Sequence, residues 1–112
     1  MIRHEEIEME TLPDPCPDTS YLEQEGFEER MRQAENGHFG FMGIRASCTL
    51  RIGIGQADHV ILHRFKSPGV WGVETDSSPE HIRMLFEDER SVLLAMLDAI
   101  GCRRSGGTHS TS

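Results

Sequence analysis

From Ile44 to Ile52 the chain alternates without a break between apolar and polar side chains. Ile44, Ala46, Cys48, Leu50 and Ile52 form one set; Arg45, Ser47, Thr49 and Arg51 form the other. Successive side chains of an extended strand point to opposite faces, so this run buries a continuous apolar stripe only as a β-strand. A helix would scatter the same residues around its circumference. The chain must therefore build a sheet with one dry face and one wet face, and must supply something apolar to cover the dry one.

The cover comes from the C-terminal third. Ile82, Leu85, Phe86, Leu93, Met96, Leu97 and Ile100 recur at helical spacing, with Glu87, Asp88, Glu89 and Arg90 mostly opposite. Ser77 and Glu80 have the spacing of a capping box, and Pro79 sits in the first turn, where its missing N–H costs nothing. The spacing predicts a helix from there to Ile100, stopped by Gly101. Between the long strand and this helix, His59 to Phe65 and Val70 to Thr75 read as two more strands, separated by Ser67-Pro68-Gly69. Short links between consecutive strands predict an antiparallel meander.

The N-terminal third is different in kind. Residues 1–36 carry eleven acidic and three basic side chains, whereas residues 37–112 carry eight of each, so the whole net charge of −8 lies at the front. Residues 2–12 alternate loosely, with Glu6, Glu8 and Glu10 facing one way and Ile7 and Met9 the other, the pattern of a charged edge strand. Prolines at 13, 15 and 17 interrupt regular structure. A helix capped by Ser20 is expected to run to about Glu35, weakened by Gly26 and ended by Asn36-Gly37.

The predicted architecture is thus a single α+β domain over residues 1–102, in the order β-α-β-β-β-α. An antiparallel sheet of three to four strands is packed on one face by helices, and residues 103–112 form a disordered tail. A composition of 37% apolar and 27% charged residues suits a soluble fold, and no run approaches the roughly 20 apolar residues of a membrane span. The first residues lack the apolar stretch of a signal peptide, which predicts a cytoplasmic protein. Cys16, Cys48 and Cys102 are odd in number and far apart, which predicts free thiols.

Three segments carry a family resemblance. Pro17-Asp18-Thr19-Ser20-Tyr21-Leu22 is the first. Glu-Asn-Gly-His-Phe-Gly-Phe-Met-Gly-Ile-Arg-Ala over 35–46 is the second, and Ser-Pro-Gly-Val-Trp-Gly-Val-Glu-Thr-Asp-Ser over 67–77 the third. In order and spacing these resemble a family of small proteins of bacteriophages and other mobile elements. That family has a Ser-Gly-Gly-Leu-Trp-Gly-Ile-Glu-Ser-Asp-Ser-like segment before its last helix. The resemblance implies a mobile-element origin and a host cytoplasm as the place of action. It assigns no catalytic residue.

Few residues suggest chemistry. Glu74 and Asp76, two apart at the end of a strand, could hold a divalent cation with help from a phosphate, as a small metal-dependent enzyme would. A structural role for the same segment, packing and helix capping, competes with that reading. His59 and His63 share a strand face about 13 Å apart, too far for one metal. Gly53-Ile54-Gly55 has no helix after it to bind phosphate. No cofactor and no metal ligand set is expected.

The acidic residues Glu6, Glu8, Glu10, Glu23, Glu25, Glu28 and Glu29 are either a solvated face or a docking surface for a basic partner. The expected function is accordingly non-enzymatic. The protein would bind and inhibit a host defence complex, as anti-CRISPR proteins do, with its carboxylates contacting a basic protein or ribonucleoprotein surface. Direct binding to nucleic acid is not expected, since a charge of −8 repels phosphate. A structural or morphogenetic phage component that oligomerises through a sheet edge is a further alternative, and a homodimer is a possible partner state.

Overall fold

Phe41–Ile54 forms one long strand, and both of its edges are paired. The computed structural model describes residues 2–55 and 59–104. The elements are β1 (Ile2–His4), β2 (Glu8–Pro13), a single 3₁₀ turn (Ser20–Glu23), α1 (Glu28–Glu35), β3 (Phe41–Ile54), β4 (His59–Lys66), β5 (Val70–Glu74), α2 (Pro79–Ala99) and β6 (Arg103–Arg104). The fold is α+β, with a six-stranded, mostly antiparallel sheet and two α-helices.

The pairing register reduces six strands to a simpler plan. β1 pairs with residues 50–52 of β3 and β2 with residues 42–47, on the same edge. Between them the register shifts by one residue: His4 stands opposite Leu50, but Glu8 stands opposite Ser47. One extra residue in one strand is a β-bulge. The predicted edge strand over 2–12 is therefore real and is interrupted at residues 5–7, where Glu5 N–H still donates to Thr49 O at 2.8 Å.

The other edge of β3 is built the same way. β4 pairs with residues 47–54, and β5 pairs with residues 41–44 of the same strand. The expected meander is thus corrected, because β5 continues the lane of β4 instead of turning back to lie beside it. Ser67-Pro68-Gly69 is an irregularity inside one lane and not a reversal. The buried Ser67 side chain holds it: Ser67 Oγ accepts from Ala46 N–H at 2.9 Å and donates to Glu89 Oε1 at 2.8 Å. Glu89 Oε1 also accepts from Gly69 N–H at 2.7 Å, so this carboxylate faces the sheet, unlike its sequence neighbours Glu87 and Asp88.

α2 lies on the dry face. Ala46, Cys48 and Leu50 pack with Leu93 and Leu97 as the buried core, and Ile2, Ile7, Ile52, Phe65, Phe86 and Cys102 close around them. The helix starts one residue later than predicted. Ser78 is its N-cap and accepts from His81 N–H at 3.1 Å, while Ser77 Oγ donates to Glu74 O at 2.6 Å. Gly101 ends the helix with φ +73°, and Cys102 N–H returns to Leu97 O at 2.9 Å.

Two further expectations are corrected. The helix predicted from Ser20 to Glu35 is split into the 3₁₀ turn and α1. Gly26 between them adopts φ +96°, a conformation outside any right-handed helix. Arg103 and Arg104, assigned to a disordered tail, form β6 parallel to β1. The remainder of that tail, 105–112, lies outside the described residues. All three cysteines are free, and burial pushes the Cys48 thiol up to about 11.

Leu93 is fully buried against β3. Leu93→Ala is therefore expected to lower the unfolding free energy by ~2–5 kcal/mol in a urea titration, the range for truncating a core leucine.

Candidate functional site

Two polar assemblies are built on the sheet. On the wet face, Glu8 and Glu10 stand opposite Ser47 and Arg45. Arg45 Nε donates to Glu10 Oε1 at 2.6 Å. Arg64, on the opposite lane, reaches back across β3: its Nη2 lies 3.1 Å from Glu8 Oε1, 3.3 Å from Glu10 Oε2 and 2.8 Å from the buried Ser47 Oγ. Arg51 and Glu5 pair at 3.5 Å. The Arg45 hydrogen bond, assisted by Arg64 and opposed by burial, holds the Glu10 carboxyl below its ordinary value.

The second assembly joins α1 to the end of β5. Arg30 Nη2 lies 2.7 Å from Glu74 Oε1 and 2.5 Å from Asp76 Oδ1. Its guanidinium also lies 3.7 Å from the centroid of Phe39, a cation–π contact, and Nη1 donates to Gln33 Oε1 at 2.9 Å. The Tyr21 hydroxyl donates to the other oxygen of Glu74. Burial first, and then this hydrogen bond and the Glu74 charge, push the Tyr21 phenol up to about 12. The Arg30 hydrogen bond holds the Asp76 carboxyl below its ordinary value.

Glu74 and Asp76 are therefore brought together, as the strand spacing implied, but on a guanidinium. Both oxygens of Glu74 are engaged by protein donors. A divalent cation there would have to displace Arg30, and no group of three or more metal-capable side chains exists among the described residues. The donor set does not fit a resident metal.

A cleft of about 730 Å³ opens beside this assembly, walled by Tyr21, Phe27, Arg30, Trp71, Glu74 and His81 among others. Trp71 is 44% exposed and does not pack in the core, whereas its neighbour Val73 is buried. The indole lies flat over Gly43, where a built Cβ would stand 2.2 Å from ring atom Cε3. Asp14, from the proline-rich link, accepts from Gly72 N–H at 2.9 Å and ties that link to β5.

The predicted acidic surface divides. Glu8 and Glu10 are consumed by arginines of their own sheet. Glu6 is exposed at the bulge. Glu23, Glu25, Glu28 and Glu29 are exposed around the 3₁₀ turn and α1; Glu29 pairs with Arg32, and Glu28 accepts from Gly26 N–H at 3.1 Å. Neither Glu23 nor Glu25 has an ion-pair partner among the described residues. His59 and His63 lie on one face of β4, with Ile61 between them, both exposed.

The sequence reasoning did not single out Arg30, Tyr21 or the Ser67–Glu89 link. A signal existed for Arg30: it and Arg32 are the only arginines or lysines between Glu5 and Glu35. Tyr21 and Ser67 gave none, since their partners are 53 and 22 residues away. Compared with protein families, with curated proteins and with solved structures, the chain matches none.

Tyr21 is the only tyrosine. Its raised phenol holds its proton more tightly folded than unfolded. The stability this gives is complete below the ordinary value of 10 and is lost as pH rises toward about 12. An ultraviolet phenolate titration, with circular dichroism reporting the fold, should show the folded midpoint near 12, and Glu74→Gln should move it part of the way back. A folded midpoint at the ordinary value would remove the Tyr21–Glu74 contact from the account. Trp71 is likewise the only tryptophan. Gly43→Ala should displace the indole and red-shift its emission, with the α2 core retained by circular dichroism.

Proposed function

We propose that this chain is a non-enzymatic accessory protein of a phage or mobile element. In this reading it binds and inhibits a host defence complex, as anti-CRISPR proteins do. Its acidic surface docks on a basic region of a protein or ribonucleoprotein that otherwise holds nucleic acid. The observation that carries the docking surface is the unequal fate of the carboxylates. Those on β2 face arginines of the same sheet, and those at the 3₁₀ turn and the start of α1 are exposed. Glu23, Glu25 and Glu28, with Glu29 beside them, offer negative charge that a cationic partner would neutralise. Glu8 and Glu10 would have to give up their own partners first.

The net charge of −8 supports a basic partner and disfavours direct nucleic-acid binding. No helix among the described residues is long and apolar enough to cross a membrane. The mobile-element origin rests on the three resembling segments. A metal-dependent enzyme built on Glu74 and Asp76 is disfavoured by Arg30, which sits where the metal would.

The test is capture from a host lysate on the immobilised full chain, at low and high salt, with mass spectrometry of what is retained. A basic nucleic-acid-binding partner that is lost at high salt is expected, because exposed charges are screened within ~8–10 Å. Glu28 and Glu29 lie in the first turn of α1, where carboxylates stabilise the helix itself, so charge reversal there mixes two effects. Glu23→Lys with Glu25→Lys avoids this, and should slow association roughly tenfold or more, within the range of electrostatic steering. Glu87→Lys with Asp88→Lys, on the exposed side of α2, should leave the rate nearly unchanged. A rate indifferent to the first pair, or retention of nucleic acid by the chain alone at physiological salt, would overturn the acidic-docking reading.

A further inference from the structure

β4 is an open sheet edge, and its exposure is unusual for an apolar strand. Among the described residues it pairs with β3 alone. Every residue from His59 to Arg64 is exposed. The register assigns them to faces: Val60, Leu62 and Arg64 stand opposite Gly53, Arg51 and Thr49 on the wet side, and His59, Ile61 and His63 stand opposite Ile54, Ile52 and Leu50 on the helix side. Val60, Ile61 and Leu62 are nevertheless 49%, 50% and 63% exposed. Apolar side chains thus stand in solvent on both faces of a strand whose outer edge pairs with no other strand among the described residues.

The opposite edge of the sheet is managed differently. β6 covers β1 there, and β2 carries Glu8 and Glu10 and ends at Pro13. Charge, proline and a covering strand are the usual protections against edge-to-edge pairing. From His59 to Lys66 the β4 edge has no proline and no acidic residue.

We infer that β4 is a self-association edge, at which a second copy of this chain pairs antiparallel with the first through a two-fold axis at Ile61. That register is self-complementary. It sets Val60 opposite Leu62 of the second copy on one face, and on the other it sets Ile61 against its own counterpart and His59 opposite His63. Residues directly opposite in an antiparallel pair share a face, so apolar meets apolar on both sides of the joined sheet. Charge selects the direction. Antiparallel pairing about Ile61 places the two Arg64 side chains six residues apart along the strands, about 20 Å, with the Lys66 pair farther still. Both distances exceed the screening length of ~8 Å at physiological ionic strength. Parallel pairing would stack Arg64 on Arg64. Glu8 and Glu10 meet Arg64 of this strand, but Glu23 and Glu25, the charges reversed in the docking test, have no ion pair with it, so self-association and docking to a basic partner are separable.

Sedimentation of the intact chain from low-micromolar to near-millimolar concentration tests the proposal. A reversible monomer–dimer equilibrium is expected. Val60→Lys with Leu62→Lys sets like charges directly opposite each other in two places and should raise the dissociation constant by more than about tenfold. Both positions are exposed, so circular dichroism should report an unchanged fold. In a Cys16→Ser background, mild oxidation should link Ile61→Cys chains into a dimer across the axis, and should not link Met84→Cys chains, whose site is on the exposed side of α2. A wild-type chain that remains monomeric throughout overturns the proposal and leaves this edge to a strand of another protein. A dimer that survives the two lysines, or an I61C chain no more readily linked than M84C, overturns it by placing the contact elsewhere.

Discussion

Backbone pairing along both edges of β3 organises everything else in this protein. An interior strand must satisfy donors and acceptors on two sides, and here each side is supplied by a lane of two shorter strands. Each lane has to follow the twist of a 14-residue strand, and each contains a register shift that lets it do so. The dry face of β3 then fixes where α2 lies. The wet face fixes which arginines meet which glutamates. The lane of β4 and β5 carries Glu74, whose carboxylate Tyr21 meets, to one end of the sheet and the exposed apolar edge to the other.

Much of this was legible in the chain because the relevant signals are local. The alternation from Ile44 to Ile52 specifies β3 and both of its faces. The spacing of Ile82 through Leu97 specifies the helix that covers the dry face, and Gly101 specifies its end. What was not legible depends on partners distant in sequence. Ser67-Pro68-Gly69 has the composition of a reversal and equally of a bulge. Only the contacts of Ser67 Oγ with Ala46 and Glu89 decide between them. Ser77 and Ser78 are equivalent caps in sequence, and the backbone carbonyl of Glu74 draws Ser77 away. By sequence alone Gly26 is a weak point in a helix; with φ +96° it is a break.

The candidate site shows the same division. Composition revealed the acidic front, but not which carboxylates the protein spends on itself. Surface ion pairs of this kind contribute modestly to stability, a median of roughly 0–1 kcal/mol. Their more definite effect is on what remains. Arg45 and Arg64 quench the charge of β2, and Arg30 quenches that of Glu74 and Asp76. The uncompensated negative charge is thereby concentrated around residues 23–28. An arginine in an acidic protein thus shapes the electrostatic surface by subtraction.

The distal part of the β3–β4 hairpin reaches beyond the core that α2 covers. Ala46, Cys48 and Leu50 are sealed beneath the helix, whereas Ile54 and Val60 to Leu62 are not. One continuous strand therefore spans two regimes of local stability. Amide hydrogens near Cys48 can exchange with solvent only when the helix and sheet separate, an opening close in cost to global unfolding. Those near Ile54 need only fraying of the hairpin. The same backbone ladder is rigid at its middle and labile where Ile54 pairs with His59, and beside that end an incoming strand would find hydrogen-bonding groups already within reach.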